Sequence, residues 1–270
     1  MFLPRFEWLS RKQRPPAIMP KGIRAYVVGD VHAQCELLLD LMKAVEQDNA
    51  GREPAGLQLI FLGDYIDRGL QSAQLLGILA KASQFENAVF LRGNHEQLLL
   101  DVHGGSIESA MIWPKIGGAS TLSSFGVDIG SFDLSDPIDV IEATQRAIPA
   151  KVIEWLSSLP LSYQIGDYYF VHAGVRPGVP LENQSERDQL WIRDEFTKSL
   201  HFHGATIVHG HTVTPEGPSI AANRIGLDTG AYKTGRLIAL GLEGEDRWCI
   251  EVFKPDRISS LNRNEGGKPV

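Results

Sequence analysis

Apolar residues over the first hundred positions follow two alternating rhythms. Short continuous runs at Ile23–Val28, Leu57–Leu62 and Ala88–Leu91 have the length and composition of buried strands. Between them the spacing widens to that of a helix face. Leu37, Leu38, Leu41, Met42 and Val45 mark 36–45, Leu75, Leu76 and Leu79 mark 72–82, and a third helical stretch covers 95–102. Strand and helix in alternation predict βαβαβ order, and hence a parallel sheet with right-handed crossovers.

From 103 to 150 the rhythm changes. Gly104-Gly105 and Gly117-Gly118 punctuate a stretch containing Trp113, Leu122 and Phe125, and helical spacing returns at 137–148 and 150–159. This segment reads as a helical insertion that caps one end of the sheet and either shapes access to it or only completes the core. Beyond it, strand-like runs occupy 161–165, 168–171, 206–208, 236–242 and 247–253, with a tight turn at Gly166-Asp167. A second, mixed sheet packed on the first predicts an α/β fold, a four-layer αββα sandwich. The expected organisation is one domain over 22–255, with tails at 1–21 and 256–270.

Each early strand runs into a polar motif: Gly29-Asp30-Val31-His32, Gly63-Asp64-Tyr65-Ile66-Asp67-Arg68-Gly69 and Gly93-Asn94-His95-Glu96. Ligands in open α/β sheets sit beyond the carboxyl ends of strands. The motifs deliver Asp, His, Asp and Asn to that edge, including a carboxylate able to bridge two ions. Two later runs end in Val171-His172-Ala173-Gly174 and Val208-His209-Gly210-His211-Thr212. A lone histidine in a sheet protein is usually structural. Histidines in four strand-end motifs, together with two aspartates and an asparagine, are not explained by packing and point to a two-metal phosphoesterase.

Composition narrows the setting. A net charge of −7 argues against a broad nucleic-acid surface, though not against a local cationic pocket. The only cysteines, Cys35 and Cys249, make no disulfide framework and favour a reducing, cytoplasmic compartment. Cys35 reads as a small buried hydrophobe. No apolar run approaches the ~20 residues of a membrane span. The N-terminal stretch carries Arg5, Arg11, Lys12 and Arg14 but is broken by Pro4, Pro15, Pro16 and Pro20, and it lacks a signal-peptide core.

In their order, GDVH, GDYIDRG, GNHE, HAGV and GHT resemble the phosphoprotein phosphatase family of calcineurin-like metallophosphoesterases, over about 23–253. The resemblance implies that Asp30, His32 and Asp64 hold one metal, and that Asp64, Asn94, His172 and His211 hold a second, with Asp64 bridging. The implied cofactors are two divalent ions, manganese by preference and iron or zinc otherwise, since mixed N/O donors suit these better than calcium. It implies attack by a water activated between the ions, with no Ser or Cys nucleophile. His95 then resembles the general acid, Asp67 its orienting carboxylate, and Arg68 and Arg193 the phosphate-binding forks. Arg176 is a further phosphate candidate. His209 stays open between a contact beside the metals and an ordinary strand residue; His103, His201 and His203 match no motif.

Two departures stand out. Ala33 replaces the glycine that usually follows GDxH, and Leu227-Asp228-Thr229-Gly230-Ala231-Tyr232 stands where the eukaryotic enzymes have SAPNY, as in the bacterial branch. Tyr232 either lines the phosphate site or is a strand-end aromatic. The activity implied is a serine/threonine protein phosphatase acting on a phosphorylated protein or peptide. The symmetrical diadenosine tetraphosphatases share the motifs but typically read GNHD where this chain has Glu96. The non-enzyme alternative is a pseudophosphatase that binds phosphorylated partners. Trp113 and Trp191 are the candidate stacking faces for a base, and the loop 176–189 has none, so phosphopeptides are the expected preference over dinucleoside polyphosphates.

Overall fold

The computed structural model describes residues 16–131 and 133–254. The first half runs β1 (Ile23–Val28), α1 (Cys35–Ala50), β2 (Gly56–Phe61), α2 (Ser72–Ala82), β3 (Ala88–Phe90) and α3 (Asn94–His103). Helices α4 (Ile107–Trp113), α5 (Ala119–Ser124), α6 (Pro137–Ala147) and α7 (Ala150–Ser158) follow. The second half runs β4 (Ser162–Ile165), β5 (Tyr168–Val171), α8 (Glu186–Trp191), α9 (Asp194–Thr197), β6 (Thr206–His209), β7 (Ser219–Ile220) and β8 (Arg224–Gly226). It closes with α10 (Ala231–Thr234), β9 (Arg236–Glu243) and β10 (Asp246–Phe253).

Successive side chains on a strand point to opposite faces, and in β1 both faces are covered. Ala25 and Val27 enter one core while Tyr26 and Val28 enter another. β1, β2 and β3 pair in parallel, and β9 and β10 extend the sheet antiparallel on the other side of β1, in the order β10-β9-β1-β2-β3. The second sheet has the order β4-β5-β6-β8-β7, with β5, β6 and β8 parallel and antiparallel strands at both edges. Three cores separate four layers. One lies between the first sheet and helices α1 to α4, with Leu38, Leu41, Leu75, Leu99 and Trp113. One lies between the sheets, with Val27, Ile60, Tyr168, Phe170 and Leu240. The third lies outside the second sheet, where Ile192 and Phe196 cover Val171 and Ile207. This is the predicted αββα architecture of two mixed sheets.

Some stretches depart from expectation. The segment expected as an extended loop before Arg193 contains α8, started by Ser185, whose hydroxyl accepts from the Asp188 N–H. Residues 16–21 do not behave as a tail. Ala17 and Met19 are buried, Met19 N donates to Gly244 O (2.8 Å) and Ile18 N to an Asp167 carboxylate oxygen (3.0 Å). Ala17 and Met19 join the inter-sheet core despite the flanking Pro16 and Pro20. The remainder of the expected N-terminal tail, 1–15, and the expected C-terminal tail, 256–270, lie outside the described residues. Among the described residues no helix is long and apolar enough to cross a membrane.

Candidate metal centre

The loops after β1, β2 and β6 adopt an unusual backbone. His32, Ala33, Asp64, Asp67, Arg68 and His211 all have φ between 45° and 70°, and they are all of the described non-glycine residues at positive φ. An L-residue in this region costs about 1–2 kcal/mol, so other interactions must hold it there. Much of the holding is done by Glu96, which is fully buried. Its Oε2 accepts from the N–H groups of Asp64 (2.8 Å) and Gly93 (3.0 Å), and its Oε1 from those of Tyr65 (2.8 Å) and Ile66 (3.2 Å). Burial and the nearby Asp64 charge push this carboxyl up to about 7. A glutamine there would turn its NH2 toward two of the four donors. Glu96→Gln should therefore lower stability by about 2–3 kcal/mol, a fall of roughly 4–12 °C in Tm for a chain of this size. An unchanged melting curve would remove Glu96 from this role.

Asp64 stands at the centre. Its Oδ2 lies 3.5 Å from His32 Nε2 and 3.8 Å from His95 Nε2, and its Oδ1 lies 3.4 Å from His172 Nε2. Two buried groups of donor atoms share it, His32-Asp64-His95 and Asp64-His172-His211, each within 4.8 Å. Asn94 Oδ1 is 2.8 Å from His172 Nε2, and Asp30 Oδ2 accepts from the His211 N–H at 2.9 Å. The structure thus gathers Asp30, His32, Asp64, Asn94, His172 and His211 from the ends of five strands. Gly210 makes the closest approach: a Cβ there would stand 1.9 Å from Asp30 Oδ1.

The donor atoms fit divalent cations. His32 Nδ1 faces the Ile66 carbonyl (2.8 Å) and His172 Nδ1 the Leu62 carbonyl (2.9 Å), contacts that require the ring N–H at Nδ1. Burial lowers His32 to about 3 and also holds His172 below its ordinary value, so both rings are neutral with a bare lone pair on Nε2. That lone pair on His172 faces the Asn94 amide oxygen, so the two stand as a pair of acceptors that a shared cation would satisfy. The buried His32 Nε2, His211 Nε2 and Asp30 Oδ1 have no hydrogen-bond partner. Burial, with Asp228 and Asp64 beside it, pushes the Asp30 carboxyl well up. A cation binding there must displace a proton, and less proton remains to displace as pH rises. Manganese added to chelator-treated protein should therefore raise Tm more at pH 7.5 than at pH 5.5. An increment independent of pH would separate Asp30 from the ions.

Around these groups stand residues suited to handling phosphate. His95 Nδ1 lies 2.5 Å from Asp67 Oδ2. Burial opposes a charge on His95, but the Asp64 and Asp67 carboxylates outweigh it and raise the imidazole above its ordinary value. Arg68 Nη2 is 3.0 Å from His95 Nε2, and its guanidinium sits 4.7 Å above the Tyr232 ring. That contact uses Nε2 as an acceptor, so it and a proton on Nε2 exclude each other. Tyr232 meets His32 edge-on at 5.3 Å, which puts it beside the first group of donors. Arg193, at the start of α9, is close enough for its charge to depress His172 and His211.

Other candidates fall elsewhere. Arg176 pairs with Asp188 (2.6 Å) and Glu195 (3.3 Å), anchoring its loop rather than a phosphate. His209 packs against Phe196 (5.0 Å) and joins neither group; His201 and His203 stack edge-on with each other at 4.9 Å. Trp113 is not on the rim: it is fully buried, and its indole N–H donates to Asp67. Sequence reasoning missed the work of Glu96 and of Asp228. The latter is buried beside the site and raised to about 6 by burial and the Asp64 charge. Its signal was the Leu227-Asp228-Thr229-Gly230 run, where the Asp228 carboxylate caps the Gly230 N–H at 2.8 Å.

Known proteins resemble this chain in sequence and fold. The chain is 26% identical over 237 residues to the asymmetrical bis(5'-nucleosyl)-tetraphosphatase PrpE of Anoxybacillus flavithermus, covering 79% of this chain and 88% of that one. It is 28% identical over 165 residues to the symmetrical bis(5'-nucleosyl)-tetraphosphatase of Methylococcus capsulatus, 60% of this chain and 47% of that one. Over 81 residues it is 37% identical to the serine/threonine-protein phosphatase PP1-1 of Saccharomyces cerevisiae, 29% of this chain and 24% of that one. Among solved structures, a protein described as a candidate diadenosine tetraphosphatase superposes with a TM-score of 0.61 at 22% identity, over 89% of this chain and all of that one. A Saccharomyces cerevisiae serine/threonine phosphatase gives 0.56 at 16%, over 89% and 86%; at these identities the likeness is one of fold. Residues 23–258 match the family model of the calcineurin-like phosphoesterases, so the chain belongs to that family, and its two buried His/Asp groups fit a metal-dependent phosphoesterase.

Proposed function

We propose that the chain hydrolyses bis(5'-nucleosyl) polyphosphates. In this reading Asp30, His32 and Asp64 hold one divalent ion, and Asp64, Asn94, His172 and His211 hold the other. Bound there, the ions supply an activated water at neutral pH and neutralise phosphoryl charge. Asp64 would serve both ions, since its Oδ2 faces His32 and its Oδ1 faces His172. Arg68 and Arg193 donate to phosphoryl oxygens, where a planar fork is best matched. When Arg68 turns to the phosphate it leaves His95 Nε2, which takes a proton from solvent water and gives it to the leaving oxygen, while Asp67 holds the ring at Nδ1. The reading includes a cytoplasmic location, supported by the unpaired Cys35 and Cys249.

The observation that carries the substrate class is Trp191. At the end of α8, this residue is 39% exposed, and its ring stands 6.3 Å edge-on from His211. A solvent-facing indole beside the metals gives a nucleobase a stacking face, worth about 1–3 kcal/mol. The relative that spans most of the chain is named for the same substrate class. The expected preference for phosphopeptides rested on Glu96, on the intact Asp67-Arg68-Gly69 segment, and on a loop 176–189 without aromatics, with Trp113 and Trp191 as rim or core alternatives. Glu96 is buried against backbone and reads no substrate, and Trp191 stands at the rim.

A serine/threonine phosphatase is the second reading, and the His95–Asp67 pair favours it. A serine alkoxide leaves only with a proton, whereas a leaving nucleotide phosphate needs less help. The test supplies diadenosine tetraphosphate, a phosphoserine peptide and p-nitrophenyl phosphate to the manganese-loaded protein. The tetraphosphate should show the highest kcat/KM, and its products, ATP with AMP or two ADP, define the cleavage position. Trp191→Ala should raise KM for the tetraphosphate roughly 5- to 150-fold and leave p-nitrophenyl phosphate nearly unaffected. A higher kcat/KM on the phosphopeptide would transfer the conclusion to the second reading.

A further inference from the structure

We infer that the helical segment between α3 and α7 acts as a clamp on the proton donor, with Trp113 and Thr121 as positioning residues that work through Asp67. The inference rests on the reading of His95 as the acid and goes beyond it. Asp67 has no exposed surface. Its Oδ2 receives the Trp113 indole N–H (2.9 Å) as well as His95 Nδ1, and its Oδ1 receives the Thr121 hydroxyl (2.6 Å). The Asp67 N–H in turn donates to Thr121 Oγ1 (3.0 Å) and to Ser72 Oγ (3.2 Å), and those two hydroxyls lie 3.0 Å apart. Trp113 ends α4 and Thr121 lies in α5; both are fully buried. Two helices remote in sequence thus fix both oxygens of one carboxylate.

The connection between these helices lies directly on the Asp67–Arg68 backbone. It kinks over Pro114–Gly118, where Gly117 leaves the helical region at φ 135°. A Cβ on Gly117 would stand 2.8 Å from Arg68 N and 2.9 Å from Asp67 Cβ, so only glycine lets the turn sit this close. The carbonyl of Ile116 meanwhile accepts from Arg68 Nε at 3.3 Å. The segment therefore seats both the carboxylate behind the acid and the arginine in front of it. Its Trp113 faces Asp67, not the solvent at the rim. A clamp of this kind matters because a donor misplaced by about 1 Å can cost on the order of 10²-fold in rate.

The test uses Thr121→Val, which keeps volume and removes the hydroxyl, with Thr121→Ser as the restoring variant and Trp113→Phe as a second removal. Each is assayed on phenyl phosphate, a poor leaving group, and on p-nitrophenyl phosphate, a better one, beside His95→Asn. Thr121→Val and Trp113→Phe should each lower kcat on phenyl phosphate about tenfold and on p-nitrophenyl phosphate less than about twofold, with KM and metal content unchanged. Thr121→Ser should recover most of the loss. The far-downfield proton resonance of His95 Nδ1–H should shift in the two removals, return in Thr121→Ser and vanish in His95→Asn. Equal losses on both esters, or none on either with an unmoved resonance, would overturn the clamp while His95→Asn still discriminated between them. A His95→Asn enzyme that did not discriminate would instead remove the acid assignment and the clamp with it. Should Thr121→Val not fold, Trp113→Phe and Ser72→Ala carry the same comparison.

Discussion

Asp64→Asn should empty both metal positions in one step. The carboxylate presents Oδ2 to His32 and Oδ1 to His172, so each set of donors depends on one of its oxygens. An amide offers one oxygen, no charge, and an NH2 that points two donors at whichever cation it faces. Three histidines beside it are neutral, so little else in the cavity repays the desolvation of a divalent ion. The substitution also disturbs the hydrogen bond from the His95 N–H to Asp64 Oδ1 (3.1 Å), at the start of α3. Metal analysis should show occupancy falling from about two ions per chain toward none, and kcat should fall by about 10³ or more, because activation of the attacking water is lost. An Asp64→Asn protein that keeps two ions and full turnover would end the shared-carboxylate account.

His95→Asn should behave differently. It should lower kcat by roughly 10²–10⁴ on an alkyl phosphoester and less on p-nitrophenyl phosphate, with both ions retained. The geometry makes this a sharp test, because His95 Nε2 is also near enough to Asp64 to belong to the first group of donors. Its Nδ1 contact with Asp67 and its Nε2 contact with Arg68 favour the proton-handling role, since a metal ligand would not present its lone pair to a guanidinium. Loss of one ion per chain in His95→Asn would make it a ligand and leave the proton donor to be found elsewhere.

The parts of the site that lie within a few residues of a strand end were legible in the sequence. Asp30, His32, Asp64, Asn94, His172 and His211 each sit in a motif that follows an apolar run, and the fold brings the runs together in parallel. Contacts across long separations were not legible. Trp113 reaches Asp67 from 46 residues away, and nothing local distinguishes it from a rim or core tryptophan. Glu96 was visible as a motif letter, but its task, accepting four backbone N–H groups, depends on where the β2 loop returns. The short elements were missed for a related reason. β7 spans two residues and β8 three, too few for a period to show, and α8 is a single capped turn and a half after a proline-rich loop.

Glycine would relieve about 1 kcal/mol at each of the six left-handed residues. Five of those six, His32, Asp64, Asp67, Arg68 and His211, bear side chains that belong to the candidate centre or back it; only Ala33 does not. Selection for heat resistance and selection for turnover therefore pull in opposite directions at five codons and agree at one. A lineage kept hot and relieved of the need for this activity would drift toward a quieter, sturdier protein, with glycines standing where its chemistry had been.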